Sequence, residues 1–142
     1  MGAWSHEPFG NDDAGDWVSE LSESKDLSAI QSALDAVTDD AEDYLEAPEC
    51  SAALAAAEVV AALLGKPTAS LDEEAAAWVV GKPQPAPELV TKAKRAVTSV
   101  LKSSELQELW AESTDYAQWQ AVTNDLLGRL SQALTIRSSG RP

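Results

Sequence analysis

From Cys50 to Leu64 the chain carries one charged residue, Glu58, and is otherwise almost wholly apolar. Alanine stands at Ala52, Ala53, Ala55, Ala56, Ala57, Ala61 and Ala62, with Leu54, Val59, Val60, Leu63 and Leu64 between them. Wound as a helix, this stretch is apolar around nearly its whole circumference, and such a helix is stable only when neighbours cover every side. Pro48 suits a first turn and Gly65, followed by Pro67, suits a stop, so a helix over about 48–64 is expected at the centre of the fold. The run from Ala52 to Leu64 is interrupted by Glu58 and falls short of the ~20 apolar residues a bilayer span needs. The first two helices and the last are expected to cover it.

Flanking segments read as helices punctuated by caps. Asn11 is a good N-cap, with Asp12 and Asp13 in a first turn where the helix dipole favours carboxylates, and Ala14, Trp17, Val18 and Leu21 share a face to about Ser22. Leu27, Ile30, Leu34 and Val37 mark a second helix from about Asp26. Ser70 with Glu73 forms a capping-box pattern that opens a short helix ending at Val80. The three prolines between Lys82 and Pro87 imply an extended connector before a helix starting at Glu88, with Leu89, Ala93, Val97, Val100 and Leu101 in register. A second capping box, Ser104 with Gln107, precedes Leu106, Leu109 and Trp110. Thr114 is placed to cap a last helix whose seam is Tyr116, Trp119, Val122, Leu126, Leu130 and Leu134. No alternating β-branched run suggests a strand. The expectation is an all-α fold: one compact domain of about six helices, residues 1–137, with a packed N-terminal arm over 1–11 and a disordered tail over 138–142. A chain of 142 residues can bury roughly 68–70% of its unfolded surface as one domain.

Charge is distributed unevenly. The net charge is −14, and residues 1–64 account for all of it, with fifteen Asp or Glu against the single Lys25. Residues 65–142 hold nine acids and nine Lys or Arg. Such a field repels nucleic acid and anionic membranes and attracts basic proteins, although acidity also serves solubility alone. Cys50 is the lone cysteine, which excludes an intrachain disulfide and a multi-cysteine metal site and makes a cytoplasmic location the default. No basic, apolar leader opens the chain.

The opening Gly2-Ala3-Trp4-Ser5-His6-Glu7-Pro8-Phe9-Gly10-Asn11-Asp12-Asp13-Ala14-Gly15-Asp16-Trp17 resembles the start of a bacterial family filed as domain of unknown function 4259. That family's pattern is approximately Gly-x-Trp-Gly-x-x-Pro-Phe-x-Asn-Asp-x-Ala-x-Asp-Trp. Asp43-Tyr44-Leu45-Glu46-Ala47-Pro48-Glu49 and the Ala-rich helix to Leu63-Leu64-Gly65 continue the likeness over about the first 65 residues. Ser5 stands where the pattern has glycine. The resemblance implies no particular activity.

Two readings of the opening motif stay open. In one, Trp4, Phe9 and Trp17 pin the arm to the core, Asn11 caps the first helix, and Asp16 accepts hydrogen bonds from backbone amides or an indole. In the other, His6, Asn11, Asp12 and Asp16 form a site for a cation or small ligand. Asp12 and Asp16 share a helix face, four residues apart, while Asp13 points elsewhere. The acidic link from Thr38 to Ala47 fails as a calcium loop: Asp35 to Glu46 has the right length and ends, but Val37 stands at the third position and Asp40 at the sixth, where an oxygen ligand and glycine are required. A looser cation site would use Asp39, Asp40, Asp43 and Glu46.

Classical catalysis finds little support, because His6 and Cys50 are the only His and Cys, and neither a phosphate loop nor an HExxH pattern is present. No catalytic residue, metal or cofactor is assigned. The expected function is a small acidic protein-binding module, immunity- or inhibitor-like, that engages a basic partner and neither nucleic acid nor membrane. Its contact surface would be Asp39, Asp40, Glu42, Asp43, Glu46 and Glu49 around Tyr44, a residue type common in interface hot spots. The alternative is a small enzyme or cation- or ligand-binding protein using His6 to Asp16.

Overall fold

A computed structural model describes residues 12–23, 27–38, 46–66, 73–80, 82, 85–102 and 104–139. These form seven helices: α1 (Asp12–Glu23), α2 (Ser28–Thr38), α3 (Ala47–Leu63), α4 (Glu73–Val79), α5 (Pro87–Lys102), α6 (Glu105–Ala111) and α7 (Tyr116–Ser139). Among the described residues there is no strand, so the fold is all-α, with seven helices where about six were expected.

The Ala-rich helix is the hub. Every residue from Ala53 to Ala61 is buried, and α3 packs against all six other helices. The expected cover of α1, α2 and α7 is therefore incomplete: α5 lies along α3 more extensively than α7 does. The physical reason is that a helix without a polar face cannot leave a side to solvent, and three neighbours do not enclose a cylinder. α5 supplies Leu89, Val90, Ala93, Ala96, Val97 and Val100 to the core, and α4 supplies Ala75 and Trp78.

Helix ends follow local chemistry closely. Pro48 sits in the first turn of α3 behind the extended Glu46. At the other end Gly65 adopts a φ of 85°. Its N–H donates to Ala62 O at 2.9 Å and that of Lys66 to Ala61 O at 2.9 Å, the paired bonds of a Schellman stop. Helix α5 begins on Pro87, whose fixed φ and missing N–H suit the first position. Ser104 caps α6, its Oγ accepting from Gln107 N–H at 3.0 Å.

The reciprocal half of that expected capping box is not made. Gln107 Nε2 instead donates to Tyr116 Oη at 2.8 Å, tying α6 to the start of α7. Helix α7 starts at Tyr116 rather than at the Asp115 that a Thr114 cap implies, and Ser113 Oγ accepts from Asp115 N–H at 3.0 Å in the turn before it. Trp119 of α7 stacks on Trp110 with centroids 6.5 Å apart and on Tyr116 at 6.1 Å. The helix runs to Ser139, past residue 138 where the tail was expected to begin. Ser70 and Leu134 contribute expectations that lie outside the described residues or side chains.

One charged group is buried within the hub, and it is neutralised from far along the chain. Glu58 is 0% exposed. Arg129 of α7 meets it in a two-pronged pair, Nη1 to Oε1 and Nη2 to Oε2, both 2.9 Å. The same guanidinium donates to Lys66 O at 3.0 Å and, through Nε, to Asp125 Oδ2 at 2.7 Å. Burial pulls the Arg129 pKa down, but Glu58 and Asp125 outweigh it, so the group titrates above its ordinary range. Removing one partner of such a pair strands the other. Arg129→Met is expected to cost about 3–5 kcal/mol, whereas the double change Glu58→Leu with Arg129→Met should cost less than Arg129→Met alone. Urea unfolding of the two variants measures the difference.

Candidate functional site

Sequence places the candidate residues in two groups, and the described structure holds part of each. His6, Asn11, Trp4, Phe9, Asp39, Asp40, Glu42, Asp43 and Tyr44 lie outside the described residues, and Asp12 is described in backbone only. Asp16 is exposed on α1. Trp17, next to it, is 5% exposed, and its indole donates to Ala29 O at 3.2 Å rather than to a carboxylate. Glu46 and Glu49 are exposed at the start of α3. Among the described residues no three His, Cys, Asp or Glu gather in a way that could hold a metal ion. Asp35, first residue of the tested calcium loop, is the last but three of α2 and pairs with Lys92 of α5.

Tertiary packing brings together carboxylates that are far apart in sequence. A shallow groove of about 290 Å³ runs between α1, α2 and α3. Trp17 and Glu20 come from α1, Ala29, Ser32, Ala33 and Ala36 from α2, and Glu49 and Ala52 from α3. Ala29, Ala33 and Ala36 recur at helical spacing, so α2 offers no bulky side chain on this face, and the space a leucine would fill remains open. The Trp17–Ala29 hydrogen bond holds one wall in place. Glu20 and Glu49 are exposed, so an apolar floor carries anionic edges.

Of the expected contact residues, Glu49 therefore lies at a concave surface. Trp17, expected only as structural, forms part of its wall. Glu20, Ser32 and the α2 alanines were not singled out by sequence. The alanine spacing in α2 was the available signal.

Comparison with known proteins places the chain in a family. A family profile described as Domain of unknown function (DUF4259) matches residues 2–122. The chain belongs to this family, and the likeness extends well beyond the first 65 residues, through α6 and into α7. No curated protein and no solved structure matches.

Cys50 behaves as a buried apolar residue. It is 0% exposed in the first turns of α3, and burial pushes its thiol pKa up to about 11, outweighing the lowering effects of hydrogen bonds with Ser104 and the Leu106 backbone. A nucleophilic thiol needs the opposite shift. The folded state holds this proton more tightly than the unfolded chain, so the stabilisation is complete below the ordinary thiol pKa near 9 and is lost as pH rises towards 11. Two consequences are expected. An aromatic disulfide reagent at pH 7.5 should label Cys50 only in step with urea unfolding, and Cys50→Ala should flatten the fall in melting temperature between pH 9 and 11.

Proposed function

We propose that this chain is a small acidic protein-binding module that engages a basic partner through its N-terminal half, in the way an immunity or inhibitor protein covers a cationic site. The observation that carries the reading is the convergence of Glu20 of α1 and Glu49 of α3 on one groove within the half that holds the whole net charge. Two acids of that half are neutralised by cations of the other, Asp35 by Lys92 and Glu58 by Arg129. Asp16, Glu20, Glu23, Glu46 and Glu49 are exposed. Asp39, Asp40, Glu42 and Asp43, with Tyr44 as an anchor, complete the proposed contact set in the sequence between α2 and α3.

Like charges gathered in this way repel one another in the free protein and are relieved by a cationic partner, which favours binding over stability. The reading also takes the protein to be bacterial and cytoplasmic, a compartment where the single thiol stays reduced. Such recognition should be fast, salt-sensitive and insensitive to chelators, because long-range attraction acts over a Debye length of about 8 Å at 0.15 M salt.

The test is capture from lysate followed by titration with the purified captured protein. Replacing Glu20 and Glu49 together with Asp39, Asp40, Asp43 and Glu46 by Asn or Gln should abolish capture while leaving the melting temperature unchanged or higher. The affinity of the unmodified protein should fall by about tenfold or more between 50 and 300 mM salt, as screening predicts. Retained binding by the neutralised variant rejects this surface.

A further inference from the structure

The groove between α1, α2 and α3 adds a chemical class of partner to that reading, on which the inference rests. Exposed ion pairs contribute little affinity by themselves, so a pair of carboxylates steers and orients a partner without holding it. Affinity comes from an apolar side chain buried in a preformed recess. This groove has both parts. Its floor is Ala33 and Ala52, its wall is the Trp17 indole fixed by the bond to Ala29 O, and Glu20 and Glu49 stand at its edges.

Its volume of about 290 Å³ is at the lower limit of small-molecule pockets, which run from about 300 to 1,000 Å³. That size suits one or two side chains rather than a cofactor. The lining offers almost no polar group to orient a small ligand, other than Ser32 and the two carboxylates. We infer that the groove is the anchor pocket for a basic segment of a partner protein, taking one large apolar side chain flanked within a turn by Lys or Arg. The apolar side chain sits over Ala33 against Trp17, and the flanking cations meet Glu20 and Glu49.

The test uses the full-length chain, isotopically labelled, and two synthetic peptides. One carries four Lys and two Arg around a central Leu; the other has Ser in place of that Leu and the same charge. Nuclear magnetic resonance titration should show the Leu peptide shifting the Trp17 indole and the Ala33 and Ala36 methyl signals. Its binding should be at least about tenfold tighter than that of the Ser peptide, the difference expected for one apolar side chain removed from water.

Ser32→Trp, a change at an exposed position that fills the groove, should remove that difference while leaving the far-ultraviolet circular dichroism unchanged. Equal binding of both peptides, with no effect of Ser32→Trp, overturns the anchor pocket and leaves the electrostatic reading standing. Failure of both peptides to bind overturns the pocket, and if no salt-sensitive partner is captured either, the wider reading falls with it. Contacts from Trp4 or Phe9 to the Ala33 methyl group in the free protein would show the groove occupied by the chain's own arm and would also overturn the inference.

Discussion

Glu58 is a carboxylate set inside a helix that has no face for it. Every residue of α3 from Ala53 to Ala61 is buried, so the charge cannot turn to water, and its neutralisation depends on Arg129 reaching in from α7. Taking two ions out of water costs several kcal/mol each, and only a two-pronged geometry with the remaining donors satisfied recovers it. Arg129 meets that condition by spending further donors on Asp125 and on Lys66 O, the carbonyl just past the Gly65 stop. One guanidinium thus joins the middle of the central helix, its C-terminal turn and the last helix. The packing of apolar side chains, Trp119, Leu126 and Leu130 of α7 among them, supplies most of the stabilisation, and this pair adds a directional tie between α3 and α7.

The same pair also explains why the uneven charge does not divide the protein into two bodies. An acidic first half and a neutral second half could belong to separate units. Instead, Lys92 crosses to Asp35, Arg129 crosses to Glu58, and Glu74 of α4 accepts from Ser22 of α1. Cations of the second half neutralise acids that lie within the body of the fold. Exposed carboxylates remain on α1 and at the start of α3, where the concave surface lies.

Much of the fold was legible because helix ends are written in short-range chemistry. Pro48, Gly65 and Ser104 each act within a few residues of themselves, and each does what its type predicts. Readings that required a distant partner fared differently. Of the capping box that Ser104 and Gln107 spell in sequence only the Ser104 half forms, and the Gln107 side-chain amide donates to the Tyr116 hydroxyl nine residues on. Glu58 was visible as an interruption, yet nothing local identifies a partner 71 residues away. The place of α5 beside α3 followed from the absence of a polar face, a constraint that three covering helices could not meet. For the candidate site, Glu49 was legible as an acid near a helix start, whereas its meeting with Glu20 and the α2 alanines arises only when three helices pack.

The reach of the family likeness gives the buried pair an evolutionary meaning. The matched stretch, residues 2–122, contains Glu58 but ends before Arg129. A relative whose final helix lacks a cation at the corresponding place would be left with an isolated charge in its centre, a burden of several kcal/mol that few domains of this size tolerate. On that argument, where the arginine is lost the glutamate should have become glutamine, alanine or a larger aliphatic residue. Pairwise covariation between them across the family would record, in inherited substitutions, that α7 docks in this way in relatives as well.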